Sequence, residues 1–181
     1  MTQATLAKPA TRAETKNVPS PAEWLEIADT LAEQLASTAV VRDQTGGHAH
    51  EQRELIRNSG LLSLSIPAEF GGAGQPWSLI YQVVRRLARA DSALAHVFAF
   101  HHLQVSSVLL YGNKDQIQHY LSSTVNQRLF WGNTLNPLDK RTIATEHPDG
   151  GYIFEGDKSF CSGARGSDYI TASAWHEASQ S

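Results

Sequence analysis

Trp24, Leu25, Ala28, Leu31, Ala32 and Leu35 recur at the three- and four-residue spacing of one helix face. Pro19-Ser20-Pro21 precedes them, with Ser20 suited to cap the helix and Pro21 to its first turn. Thr45-Gly46-Gly47 breaks the pattern. A shorter helix is predicted from about Glu51 to Ser59, with Gly60 placed to end it in a left-handed turn. Pro67 and Phe70-Gly71-Gly72-Ala73-Gly74 read as a loop, and helical periodicity resumes over Trp77 to Ala90. Asp91-Ser92 caps the next helix, predicted to run to about Tyr111 before Gly112. On it Leu94, Val97, Phe98, His101, Val105 and Val108 share one face, and His96, Phe100, Leu103, Ser107 and Tyr111 the opposite one. Apolar on both sides, this helix is expected between two layers at the centre of its domain. Asn113 caps one more helix through Gln116, Ile117, Tyr120 and Leu121.

From Arg128 the texture changes. Leu129-Phe130-Trp131, Thr142-Ile143-Ala144-Thr145, Tyr152-Ile153-Phe154 and Tyr169-Ile170-Thr171 are short β-prone runs punctuated by Gly, Asp and Pro. Helices first and strands afterwards define an α+β chain. The reading divides it into a disordered leader over 1–20, a helical domain over 21–127 and an incomplete β-domain over 128–181. Three or four short strands neither close a barrel nor cover both faces of a sheet.

Composition narrows the function classes. Fifteen Lys and Arg against eighteen Asp and Glu give a net charge of -3 with no basic stripe, which argues against nucleic acid as a partner. The single cysteine, Cys161, excludes an internal disulfide and fits a cytoplasmic protein. No run of ~18 consecutive apolar residues marks a membrane span. His101-His102 and His48-x-His50 lack a carboxylate at a useful spacing, so no metal site is expected. His101 reads as a hydrogen-bonded core residue.

Several motifs, weak singly but specific in their order, resemble the acyl-CoA dehydrogenase superfamily. They are Ser59-Gly60-Leu61-Leu62, Pro67-Ala68-Glu69-Phe70-Gly71-Gly72-Ala73-Gly74, Asp91-Ser92-Ala93-Leu94-Ala95 with His101, Tyr111-Gly112 with Asp115-Gln116 and Tyr120-Leu121, and Gly156-Asp157-Lys158-Ser159-Phe160-Cys161-Ser162-Gly163. Arg42-Asp43 with Gly46-Gly47, Trp131-Gly132-Asn133, and Ala164 with Gly166-Ser167-Asp168 draw the chain nearer to the two-component flavin monooxygenases of the dibenzothiophene monooxygenase kind. The resemblance implies a helical domain, a middle β-domain and a C-terminal four-helix bundle, with flavin between the last two. It covers the first domain and the opening strands of the second. A chain without the bundle is expected to hold flavin poorly and to be inactive alone, as a fragment or a helical binding module.

The resemblance also assigns residues. Ser162, by itself a turn serine, is matched to a position near the flavin N5. Asn133, by itself a strand-end amide, is matched to the reactive edge of the ring. His96, which on a helix is more often packed or solvated, faces substrate and flavin in the sulfur-oxidising relatives, where it moves a proton. His96 and Ser162 are therefore the catalytic candidates. Phe100, where a relative carries tyrosine, joins His96 in the substrate wall. Trp131, Asn133, Thr134, Phe160, Cys161 and Ser162 make the flavin-contacting set, although Cys161 alone reads as a small packed residue. The implied reaction is oxidation of a sulfur or other heteroatom compound through a flavin C4a-hydroperoxide. Reduced FMN would come from a separate flavin reductase, and full-length relatives would form a homo-tetramer. The alternative is an FAD-dependent acyl-CoA dehydrogenase, although Thr134-Leu135-Asn136-Pro137 departs from the loop usual there.

Overall fold

A computed structural model describes residues 18–176 and 178; most of the leader expected over 1–20 lies outside them. α1 spans Pro21–Thr45 and opens on a capping box. The Ser20 hydroxyl accepts from the Glu23 N–H, and the Glu23 carboxylate accepts from the Ser20 N–H at 2.7 Å. α2 covers His50–Asn58, and Gly60 turns the chain at φ 81°, a region L side chains avoid. Short 3-10 turns at Leu61–Ser63 and Ala68–Phe70 lead into α3, Trp77–Ala90. α4 follows over Ser92–Tyr111, its first turn held by the Asp91 carboxylate on the Leu94 N–H at 2.9 Å. α5, Lys114–Gln127, has its own capping box between Asn113 and Gln116.

α1 lies on α3, α3 on α4, and α4 crosses the first strand. The main core runs through Trp24, Leu35, Ile56, Leu61, Ile80, Leu87 and Phe98. Burying each such side chain contributes roughly 1.5–3 kcal/mol. A second cluster, Ile66, Val105, Leu121 and Trp131, closes the far side under α5. Arg42 ties the end of α1 to the start of α4 through Asp91 at 2.7 Å.

β1 (Trp131–Thr134) runs parallel to β4 (Tyr169–Ala172). Separately, β2 (Thr142–Glu146) pairs antiparallel with β3 (Tyr152–Gly156) and parallel with β5 (Trp175–His176). The architecture is α+β as expected, with two differences in detail. β1 starts two residues later than the run Leu129-Phe130-Trp131 suggests. Arg128 leaves α5 at φ 54°, the Leu129 N–H bonds back to Thr124 O, and Phe130 sinks into the helical core. β5, only two residues long, has no pattern of its own.

The central helix also departs from expectation. α4 buries Leu94, Phe98, His101, His102, Gln104 and Val105, but its other side is not covered by a second layer. Leu103 is 45% exposed and Tyr111 85%. α4 has the length and apolarity of a membrane span, yet its buried residues pack against α3, α5 and β1.

Candidate functional site

His96, Phe100 and Gln104 are spaced four residues apart, so one stripe of α4 carries all three. The loop after β3 comes down onto the start of that stripe. The Ser162 hydroxyl lies 3.0 Å from His96 Nε2. The Ser162 carbonyl accepts the Asn133 N–H at 3.0 Å, which joins the loop to β1. The Phe100 ring stands 4.5 Å from the His96 ring, centroid to centroid, tilted by 41°.

Asn133 completes the group with a fixed orientation. Its Oδ1 accepts from the Leu135 N–H at 3.1 Å and from Gln104 Nε2 at 2.9 Å. A backbone N–H donates only, so it sets which end of the Asn133 amide is oxygen, and that oxygen in turn sets the Gln104 amide. The Asn133 Nδ2 is therefore the end available as a donor. Gln104 is 2% exposed, and its Oε1 is buried without a partner. Sequence reading missed Gln104. The signal was present, since the glutamine four residues beyond Phe100 is the one amide side chain on the helix.

The structure thus brings His96, Phe100, Asn133 and Ser162 together and leaves other candidates with different partners. The Trp131 indole lies against Tyr120 and Tyr169 and donates to Thr124 Oγ1 at 2.9 Å. Only its backbone is near the group, and its N–H is taken by His101 Nδ1 at 3.2 Å. The ring is covered by Tyr120 of α5 and Tyr169 of β4 and forms part of the second core cluster. Thr134 Oγ1 donates to the Thr171 carbonyl at 3.1 Å and is likewise committed to the sheet. Phe160 is 89% exposed, at φ 57°, and makes no ring contact with the group. Cys161 is half-buried and free. It lines a groove of about 950 Å³ that reaches Arg42, His48, Val97, Gly163 and Arg165.

The adjacent histidines have a different chemistry from His96. His101 accepts from the Trp131 N–H at Nδ1, so its Nε2 carries the proton and donates to the Leu62 carbonyl at 2.8 Å. Complete burial pushes its pKa down to about 4. His102 meets Ser65 Oγ at 2.7 Å, and burial pushes it well below the usual histidine value. Both are neutral core residues. His48 and His50 stand 6.1 Å apart between ring centroids. Among the described residues no three His, Cys, Asp or Glu side chains are grouped to hold a metal.

A helical layer whose central helix is open along one stripe is followed by a parallel strand pair and a small second sheet. The family model of the acyl-CoA dehydrogenase N-terminal domain matches residues 25–128, and the chain belongs to that family. It is 51% identical over 159 residues to the probable FMNH2-dependent monooxygenase SfnC of Pseudomonas putida, spanning 88% of this chain and 40% of that protein. It is similar to the methanesulfinate monooxygenase MsuC of Pseudomonas fluorescens, with 48% identity and a TM-score of 0.81 over 84% of this chain and 39% of that one. FMN-bound TdsC from Paenibacillus sp. A11-2 gives 35% identity and a TM-score of 0.80 over 85% of this chain and 40% of its own. The chain therefore spans about 40% of the length of these relatives.

Proposed function

We propose that the whole protein oxidises a small sulfur compound with molecular oxygen, using reduced FMN supplied by a separate reductase. The observation that carries this reading is the meeting of His96, Asn133 and Ser162 on the open stripe of α4, in a chain whose similar proteins are FMNH2-dependent and sulfur-oxidising by name.

The residues present fit an isoalloxazine edge. Asn133 offers an outward amide donor from a locked orientation, and Ser162 offers a hydroxyl. Gln104 leaves a buried acceptor without a partner beside them. FMN, when bound, supplies the oxygen activation. This chain's residues do the rest. Asn133 and Ser162 orient the ring edge, Phe100 and Leu103 exclude water from the α4 side, and His96 holds a proton at Nε2 shared with Ser162 Oγ. Trp131 and Thr134 contribute by fixing β1 rather than by side-chain contact; Phe160 and Cys161 flank Ser162 on its loop.

Substituting His96→Ala or Ser162→Ala in the whole protein should lower sulfur product formed per reduced FMN by ~10²-fold, with hydrogen peroxide released instead. Reduction of a dye by acyl-CoA, together with no oxygen uptake from reduced FMN, would replace this reading with the FAD-dependent dehydrogenase. The 181-residue chain alone presents the α4 stripe uncovered, so an FMN titration of it should show at most weak binding. Stoichiometric flavin on the purified chain would contradict that expectation.

A further inference from the structure

We propose that Arg53 is the positioning residue that aims Ser162 at His96; this rests on the flavin reading above. Arg53 lies on α2 and is 5% exposed. None of the ion pairs among the described residues includes it. A buried guanidinium without a carboxylate is costly unless its N–H groups are all but consumed by acceptors. Here three bonds go to one place, all from the two Nη groups, while Nε is buried without a partner. Nη1 donates to the carbonyls of Gly163 at 3.2 Å and Arg165 at 3.1 Å, and Nη2 to that of Gly166 at 2.9 Å. The plane of the group lies over the Phe130 ring, 4.2 Å from its centre. These carbonyls all lie within four residues of Ser162, the first of them on its immediate neighbour.

The loop has little room to be elsewhere. Gly163 sits at φ 75°, and a Cβ there would stand 2.7 Å from Val97 Cγ1, on the residue next to His96. The Ser167 hydroxyl also reaches the Gly163 carbonyl. Arg57, one turn along α2, holds the far end of the loop through Asp168 at 2.6 Å, and Asp168 takes the Phe130 N–H at 2.7 Å. Arg57 thus ties the loop to the strand and shares the Gly166 carbonyl at 3.2 Å, whereas of the two arginines Arg53 alone holds the Gly163 and Arg165 carbonyls nearer Ser162. The fork spreads its donors across three separate carbonyls from one rigid plane; a lysine ammonium supplies the charge from a single point without that spacing. Arg53 touches neither His96 nor the Ser162 hydroxyl, so it acts through the loop backbone.

The test compares Arg53→Lys, Arg53→Met and Ser162→Ala in the whole protein. Hydrogen exchange of the 162–166 amides should quicken by about tenfold in both Arg53 variants while α1 and α3 amides stay unchanged. Product formed per reduced FMN should fall ~10- to 100-fold, as expected for a group displaced by about 1 Å. In a Ser162→Ala background, Arg53→Met should add less than about twofold, because both act on one contact. Losses that multiply would overturn the proposal, as would Arg53→Lys keeping wild-type coupling, since charge alone would then suffice. Arg53→Lys reads the loop even if Arg53→Met fails to fold. Loop loosening in a protein that turns over no reduced FMN would sink the flavin reading and leave the clamp standing; unchanged exchange with normal flavin turnover would sink the clamp alone.

Discussion

The helical layer and the strands after it bury their apolar residues very differently. Phe98, Leu35, Ile56 and Leu87 are fully enclosed between helices. In β3, by contrast, Tyr152, Ile153 and Phe154 are 58, 46 and 54% exposed, so neither face of that strand is covered. Alternation along a strand sends neighbours to opposite faces, and at least one face normally packs. The β2–β3–β5 sheet therefore has its ladder but little burial, while β1 is buried against α4, and β4 adds Tyr169 against Tyr120 of α5. The candidate site lies against the helical side of this divide, with Asn133 buried and His96 on the exposed stripe. Asn133 is on β1, His96 on α4, and Ser162 is held by contacts to both layers.

The difference can be broken most directly by truncating one aromatic in each region of the 181-residue chain. Phe98→Ala should lower unfolding free energy by about 3–5 kcal/mol, since helices packed on all sides cannot collapse into the space left. Phe154→Ala should cost under ~0.5 kcal/mol, as an exposed ring loses few contacts. Urea denaturation followed by circular dichroism measures both. Similar losses would mean that β3 is covered in solution and the contrast is false.

Acid sharpens the comparison, because only the helical layer encloses neutral histidines. His101 is held at about 4, against roughly 6.5 when unfolded, so the unfolded chain binds the extra proton between those values. A depressed folded value means the contribution is complete above pH 6.5 and is lost as pH falls toward 4. The expected loss is about 3 kcal/mol from His101, with His102 acting in the same direction. Urea midpoints should therefore fall steadily from pH 7 to pH 4.5. A flat profile across that range would show that His101 is not enclosed.

Much of this was readable from residues, for identifiable reasons. Helix limits followed from side chains that satisfy exposed N–H groups locally: Ser20, Asp91 and Asn113 all cap where their position suggests. The convergence of His96 and Ser162, 66 residues apart, was accessible only through resemblance, because no local pattern encodes it. Burial of Trp131 was hidden because a β-prone aromatic reads the same whether it faces a ligand or Tyr120 and Tyr169. Arg53 was hidden for the opposite reason. His-Glu-Gln-Arg-Glu-Leu-Ile-Arg-Asn reads as a charged surface helix, and the acceptors that make its arginines internal come from more than 100 residues away. The outer stripe of α4 was read as covered because composition records apolarity, not what lies against it.

The smallest expected effect lies at the seam between the two regions, where Gln104 of α4 meets Asn133 of β1. Gln104→Met keeps the volume and removes both the amide donor to Asn133 and the unpartnered Oε1. Losing a bonded donor destabilises, while losing a buried acceptor that has no partner relieves a desolvation cost, so the net change should be about 1 kcal/mol or less. Asn133 Oδ1 would keep the Leu135 N–H, which still sets the amide's direction, but its outward Nδ2 would be held by one bond to Oδ1 in place of two. In the whole protein FMN should then bind about tenfold more weakly, the worth of one oriented hydrogen bond. Asn133→Asp should weaken it further, because the outward group changes from donor to anion. If Gln104→Met lowered stability by several kcal/mol and left FMN binding untouched, the Gln104–Asn133 bond would belong to the core alone, and the outward amide would owe its direction to the strand.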